Sequence, residues 1–480
     1  MPRPDVVFVR PPAPLAAPDA PPGMRTLAPP PFLALLAGYV RGLGFGVEIL
    51  DARAAGLSPE RAAWEVRGLS PRLCVVWVSA LDPEESTPAM EPARAMVEEL
   101  GQEAFGVPTL LGGLHPSALP RETLLREKPD YVCQGQGFST LPALLEALRN
   151  GQAAPAVPGL WLKSRPDAPP GVPAPARRDL ENLPLPAWDL LPMDRYRAPV
   201  WMSLSHPSRH GPFASVFTSL GCPFSCAHCA QGALAGRPGV LFRSPDKVLE
   251  EMEILSEHHG VNNVALADPL FCLDERRVET LCKKIRERGL SLCLSARARP
   301  DTLTERMLNA MAGAGFRWLE LEANPPDLRL PARSVFSRRP APDRALAAAR
   351  NAGMHVFGKY RMGLPDDDFE VLNHTLASLL ESRASWIRVR PAMPFPGSRL
   401  YQTALSQGWP LPQAWTGFDP DSPEARHPGT RFLSGEQVLD FCDYAQSAWF
   451  ANPDTQDRMG RTFGQRALSL VKTLARPRRP

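Results

Sequence analysis

A chain of 480 residues, 44% apolar and 22% charged, is long enough for two or three domains that each bury a core. A net charge of +3 is too mild to argue for a nucleic-acid partner, and the basic, proline-rich end at residues 476–480 reads as a solvated tail. No apolar run approaches the roughly 20 residues of a membrane span, and the amino terminus shows no signal-peptide pattern, so the expected location is cytoplasmic.

The first part of the chain alternates short apolar runs with helical patterns. Residues 5–9 form an apolar run that ends at Arg10-Pro11-Pro12. Residues 32–43 have apolar positions at helical spacing, and Gly44 stops them. Residues 47–51 read as a second strand ending at Asp51, and Ser58-Pro59-Glu60 as a helix start with Ser as cap and Pro in the first turn. A third strand over 73–78 leads into Ser79-Ala80, and a helix follows over 90–100. A fourth strand over 109–111 ends in Gly112-Gly113. A fifth over 130–133 precedes Gly135 and a helix over 141–148. This alternation predicts an α/β domain over residues 1–150, a doubly wound, Rossmann-like parallel sheet. Ligands of such sheets lie beyond the carboxyl ends of the strands. That places Pro11-Pro12, Asp51, Ser79, Gly112, Gly113 and Gly135 on one rim. No G-x-G-x-x-G follows the first strand, which weighs against a nicotinamide or flavin dinucleotide.

Residues 151–213 read as a connector, with proline so dense from 155 to 175 that a stiff, extended tether is expected. From residue 214 the βα pattern resumes. Strands are expected over 216–220, 263–268, 290–296, 317–322, 355–362 and 386–389, with helices between them. Six βα units over 214–400 predict a partial or full parallel barrel, with chemistry at the strands' carboxyl ends. Residues 401–480 turn helical. Ser434-Gly435-Glu436-Gln437 is a capping box opening a helix to about 450, and a second helix is expected over 459–474. The aromatics Trp409, Trp415, Phe418, Trp449 and Phe450 are expected in the core.

Cys222, Cys226 and Cys229 stand at spacing C-x3-C-x2-C just after the first barrel strand, where Gly221 and Pro223 break the strand into a loop. Three thiols on one short loop are first of all a metal site. An iron–sulfur cubane normally takes four cysteine thiolates, so a loop supplying three leaves one iron open to another ligand. The rival is zinc held by the same cysteines and His228. His228 is next to Cys229 and two residues from Cys226, too close for an easy tetrahedral set, and no second Cys/His pair lies nearby. The six other cysteines, Cys74, Cys133, Cys272, Cys282, Cys293 and Cys442, are scattered through mostly apolar or helical surroundings and read as small buried hydrophobes.

The cysteine spacing, with the aromatic-type His228 before the last thiol, resembles the signature of radical S-adenosylmethionine enzymes. The segment Gly112-Gly113-Leu114-His115-Pro116-Ser117-Ala118-Leu119-Pro120, the early Pro11-Pro12 and the Leu50-Asp51-Ala52 strand end resemble the cobalamin-binding domain fused to many of them. Residues 183–189 resemble the segment that joins the two domains, so the tether is expected to be packed. The resemblance implies a 4Fe–4S cluster on the three cysteines, S-adenosylmethionine on its open iron, and cobalamin on the amino-terminal rim, with Asp51, Ser79, Gly112, Gly113, His115 and Gly135 as contacts. The chain lacks the D-x-H-x-x-G motif of domains that place histidine under cobalt, so His115 is not expected to be a cobalt ligand. Gly135-Gln136-Gly137-Phe138 replaces a G-E-G-E of relatives. By match to later strand ends, Asp268, Arg299, Glu322 and Gly363 join His228 as expected contacts of S-adenosylmethionine. Departures at Pro269, Glu320, Ala323 and Asp366 alter the same segments.

The resemblance implies a cobalamin-dependent methyltransferase. One S-adenosylmethionine methylates the cobalt, a second yields a deoxyadenosyl radical that takes hydrogen from an unactivated carbon, and the methyl group then passes to that carbon of a small-molecule substrate. An electron donor such as flavodoxin or ferredoxin is implied as a partner. A non-methylating oxidative cyclase or rearrangement enzyme shares the layout, and a cobalamin- or cluster-binding sensor is the reading from outside catalysis.

Overall fold

Val6, Val7, Phe8 and Val9 are all fully buried, as are Leu73, Cys74, Val75 and Val76, so these two strands have both faces covered. That is the burial of central strands in a sheet with helices on both sides. In the computed structural model the described residues are 3–13, 26–102, 106–167, 176–177, 179–204, 211–236, 239–324 and 342–476. The proline-dense stretch at 168–175 and the tail at 477–480 lie outside the described residues.

The amino-terminal sheet comprises β1 (Val6–Arg10), β2 (Val47–Asp51), β3 (Leu73–Trp77), β4 (Thr109–Gly112), β5 (Tyr131–Cys133) and β6 (Leu160–Leu162), in the order β2-β1-β3-β4-β5-β6. The first five are parallel, as the alternation predicted, and β6 joins β5 antiparallel from within the segment read as a connector. The chain runs from β1 outward to β2 on one side and returns to β3 on the other, so the topological switch point lies between β1 and β3. Ser58 accepts from the Arg61 amide at 3.3 Å and caps the helix Pro59–Leu69, as expected of that tripeptide.

The second sheet follows β7 (Phe213–Val216). A short hairpin, β8 (Ser219–Cys222) with β9 (Gly239–Phe242), interrupts the alternation before β10 (Asn263–Leu266). Then come β11 (Cys293–Ala298), β12 (Phe316–Glu322), β13 (His355–Met362) and β14 (Trp386–Pro391). The order β7-β10-β11-β12-β13-β14 is parallel throughout and forms a six-stranded partial barrel. Its amino-terminal end is plugged by the connector: Trp201 meets Trp318 and Phe357 with ring centroids 5.0 Å apart, and Met202 Sδ lies 3.5 Å from Ser295 Oγ.

The connector is packed between the sheets. The Ala187 amide donates to Ala34 O at 2.9 Å, Trp188 Nε1 donates to the buried Glu251 at 3.2 Å, and Tyr196 donates its hydroxyl to Asp51 at 2.8 Å. The carboxyl-terminal region, with helices Gly435–Ala451 and Pro453–Leu474, covers the barrel and also reaches the first domain. Trp415 is the anchor there. Its Nε1 donates to Glu127 Oε1 at 2.8 Å, its backbone amide donates to Glu91 at 3.2 Å, and its ring lies edge-on to His115 at 4.4 Å.

Burial pushes the Glu127 carboxyl up from 4.5 to about 7, so the folded protein holds a proton that the unfolded chain has already released between those pH values. Stability therefore falls as pH rises through that window, by an amount on the order of 3 kcal/mol. Glu127→Gln keeps the oxygen that accepts from Trp415 and removes the titration. Thermal melts from pH 5 to pH 8 should show the variant gaining on the parent steadily, and parallel curves would deny this assignment.

Candidate functional site

The cluster loop is built by one strand turn and held from three sides. Gly221, with φ of +90°, lets β8 approach β9 so closely that a Cβ there would lie 2.3 Å from Gly239 O. Cys222 closes the strand, and the Cys229 amide donates to Cys226 O at 3.1 Å, which closes a turn between the second and third cysteines. The segment after β14 clamps the outside. The Leu400 amide donates to Ala227 O at 2.8 Å, and Arg399 Nη2 donates to Ser225 O at 2.5 Å. Gly397 lies where barrel, loop and first domain meet, since a Cβ would contact Ala118 at 2.9 Å and Ala233 at 3.0 Å.

The three thiols line a cleft of about 160 Å³ with Phe224, Gln231 and Arg399, and among the described residues no carboxylate lines it. Burial raises the Cys222 thiol, and raises the Cys229 thiol to about 11, so metal must displace these protons as it binds. Among the described residues no three His, Cys, Asp or Glu side chains converge on one ion position, which is what zinc would require. A cubane instead binds each thiolate to a different iron, so thiols spread around a cleft suit it.

Two charged residues support the loop. Asp268, fully buried just beyond β10, accepts from the amides of Thr218 at 2.7 Å and Ser219 at 2.8 Å, and from the Thr218 hydroxyl. Its carboxylate therefore fastens the link between β7 and β8. Arg299, at the end of β11, is held by Asp301 at 2.8 and 2.5 Å and lies 3.8 Å over the Phe224 ring. Its Nη1 is buried without a hydrogen-bond partner among the described residues. Glu322 closes β12, and His228 is half-buried in the loop. Gly363, with φ of +82°, donates its amide to Asp367 at 2.9 Å and lies beneath Val438, 2.4 Å from where a Cβ would be.

The amino-terminal rim faces the barrel. A cavity of about 270 Å³ opens at the switch point, lined by Arg10 from β1, residues 77–82 from the end of β3, and Ser215, Arg297 and Glu320 from the barrel. Ser79 lines it and accepts from the Asp82 amide at 3.3 Å. Asp51 is buried in a network with Arg10 at 3.3 Å and the Tyr196 hydroxyl at 2.8 Å. Gly112 lies beneath the Trp77 ring, where a Cβ would come within 2.3 Å, and Gly113, with φ of +118°, lies where a Cβ would come within 2.4 Å of Val78 O. The Gly135 amide donates to Ser117 at 3.0 Å. His115 is buried under Trp415, away from the cavity lining, and burial holds its ring down near 3.

Sequence reasoning passed over Trp77, the Trp201–Met202 plug, Arg297 and Lys359. For the last two the signal was present: charged residues two apart on β12, β13 and β14, and Arg297 two before Arg299 at the end of β11, a spacing that shares a face in a strand.

A doubly wound sheet whose switch point opens onto a partial barrel, with three thiols after the barrel's first strand, defines a two-domain radical enzyme. Residues 25–145 match the B12 binding domain and residues 216–377 the radical SAM superfamily. The chain is similar to an uncharacterized methyltransferase of Pyrococcus horikoshii, 27% identical over 433 residues, 89% of each protein. Its fold is that of the cobalamin-dependent S-adenosylmethionine radical enzyme OxsB, solved with aqua-cobalamin and S-adenosylmethionine (TM-score 0.65, 14% identity, 98% of this chain and 72% of that one). It is also that of the radical S-adenosylmethionine methyltransferase TsrM from Kitasatospora setae, solved with cobalamin and a 4Fe–4S cluster (TM-score 0.63, 19% identity, 84% of this chain and 78% of that one). The chain carries a B12 binding domain followed by a radical SAM domain, and the groups that these domains imply are cobalamin, a 4Fe–4S cluster and S-adenosylmethionine.

The residues present fit these groups. The carboxylate-free three-thiol cleft suits an anionic cluster. At the rim, apolar walls from Pro29–Leu33 and Trp77, and small Ser79 and Ala80, suit the broad face of a macrocycle, and the buried Trp77 Nε1 lacks an acceptor among the described residues. Among the described residues no helix is long and apolar enough to cross a membrane.

Proposed function

We propose that the protein methylates a carbon atom of a small molecule. One observation carries this reading: the cobalamin rim and the barrel interior line a single chamber, so a methyl carrier on one wall faces a substrate held by the other. Similarity to a methyltransferase over 89% of the chain supports it. Cys222, Cys226 and Cys229 hold the cluster. When bound, the cluster supplies the electron that cleaves S-adenosylmethionine, and the corrin carries the methyl group.

The chain's own residues do the positioning. Arg299, with a buried N–H to spare beside the thiols, takes the carboxylate of S-adenosylmethionine. His228, Glu322 and Gly363 complete that rim. Ser79, Gly112, Gly113 and Gly135 shape the corrin's edge. Asp51, Asp268 and His115 act through the backbone and rings they pack against, because their polar groups are engaged within the protein or turned from the chamber. The open cluster requires reducing surroundings and a one-electron donor, so we place the enzyme in the cytoplasm with a flavodoxin or ferredoxin.

The test is anaerobic reconstitution with iron, sulfide and cobalamin, then S-adenosylmethionine with a reductant. Deoxyadenosine together with cobalamin-dependent S-adenosylhomocysteine is expected. Deoxyadenosine alone would favour the cyclase or rearrangement reading, and neither product would favour the sensor.

A further inference from the structure

Three barrel strands each carry two charged residues two positions apart, Glu320 and Glu322, Lys359 and Arg361, Arg388 and Arg390, and β11 carries Arg297 with Arg299 just past its end. Such pairs share a strand face, and Arg297 and Glu320 line the chamber, so that face is the barrel interior. Barrel interiors are ordinarily filled with branched apolar side chains. Ionised groups there carry a desolvation cost that the fold itself does not require.

Most of these charges are matched within the protein. Arg299 pairs with Asp301 at 2.5 Å. Arg361 and Arg390 reach Glu84 of the first domain at 3.5 and 3.6 Å, and Arg390 also pairs with Asp421. Lys359 pairs with Glu320. Arg297 differs. Its ion pair to that same Glu320 oxygen is made through Nε at 3.5 Å, on a carboxylate that Lys359 shares. About a third of its side chain (34%) is accessible although the group lies deep in the barrel, so the accessible part is chamber wall. The carboxyl of Asp82, which burial pushes toward the neutral form, lines the same chamber. Trp201, Met202 and Phe213 supply an apolar wall.

We propose that Arg297 is the specificity-determining residue of the substrate chamber, its guanidinium fork taking a carboxylate on a substrate whose apolar body lies against Trp201, Met202 and Phe213. This rests on the chamber being the substrate site of the proposed methyltransferase. A monoanion suits the chamber better than a phosphate dianion, because Glu85 and Glu320 line the same space. The carboxylate of S-adenosylmethionine is the other source of this chemistry. It belongs on the cluster side, one layer along β11 at Arg299, and Arg297 does not line the cluster cleft.

Equilibrium dialysis tests the inference on holoenzyme loaded with cluster, cobalamin and S-adenosylmethionine, without reductant. The probes are phenylacetate, 3-phenylpropionate and indole-3-acetate, each beside its primary amide. At least one acid should bind roughly tenfold or more tighter than its amide. Arg297→Gln should weaken that acid by roughly tenfold to a hundredfold and leave the amide unchanged. Glu320→Gln, which frees the fork from its internal partner, should bind the acid as well as the parent or better. Equal binding of acids and amides, no binding of any acid, or an Arg297→Gln protein that binds acids normally would overturn the inference. So would a variant that loses cobalamin or S-adenosylmethionine in place of the acid, since Arg297 would then serve a cofactor. Deoxyadenosine and S-adenosylhomocysteine from the parent enzyme are measured separately. Their absence would fail the methyltransferase reading, whereas a failed acid–amide contrast beside normal product formation fails this inference alone.

Discussion

Cys226→Ala is expected to abolish both cluster binding and every product of S-adenosylmethionine cleavage. The loop offers three thiols, and among the described residues no further thiol and no carboxylate lines their cleft. Two thiolates cannot hold a cubane with one iron kept open. Without the cluster the reaction falls back to its uncatalysed rate, a loss of more than about a millionfold and so below detection. Iron and sulfide content and the visible absorption of the reconstituted protein should fall together with deoxyadenosine. Cys442→Ala is the control. That thiol is buried in the helix Gly435–Ala451, and burial raises it to about 12, so it acts as a small apolar side chain. The change should cost about 1 kcal/mol of stability and leave iron content intact. Full iron content in Cys226→Ala would remove the loop from the cluster.

Much of the architecture was legible because its signals are local. Apolar runs such as Val6–Arg10 and Leu73–Trp77 are buried on both faces, so they stand out without any knowledge of their neighbours. Ser58, Asp274 and Ser434 cap the helices they introduce, and the Ser434 box closes reciprocally with Gln437. The hairpin of β8 and β9 was not legible. Ser219-Leu220-Gly221-Cys222 has little strand propensity, and its partner lies about 20 residues on, so only tertiary pairing makes it a strand. β6 was hidden for a related reason, three residues taken up at a sheet edge from a proline-rich segment. At the site, position was legible and direction was not. Asp51 and Asp268 stand at strand ends, where cofactor contacts are expected, and both carboxylates turn inward onto protein donors. The inward charges of β11 to β14 were visible as a period-two pattern, yet their meaning depends on the acidic loop at Asp82–Glu85 that another domain brings against them.

Asp268→Ala is expected to destabilise the protein by about 3 kcal/mol or more and to lose the cluster with it. The change strands two buried backbone N–H groups and the Thr218 hydroxyl, each of which costs about 1–3 kcal/mol when left unsatisfied. Those amides belong to Thr218 and Ser219, where the link from β7 enters β8, and Cys222 closes β8, so their release loosens the strand that carries Cys222. Asp268→Asn separates the two roles this carboxylate could play. Its remaining oxygen can accept from both amides, and the Thr218 hydroxyl can accept from the new amide nitrogen, since a hydroxyl serves as donor or acceptor. If Asp268 acts by holding the loop, the asparagine variant should melt near the parent, bind a full cluster and keep its affinity for S-adenosylmethionine. If its charge instead contacts the amino group of S-adenosylmethionine, the same variant should fold and load normally yet lose roughly tenfold or more in that affinity. Melting temperature, iron content and S-adenosylmethionine affinity measured on the two variants therefore decide between holding and binding. The geometry, with both oxygens already taken up by Thr218 and Ser219, places the expected result on holding.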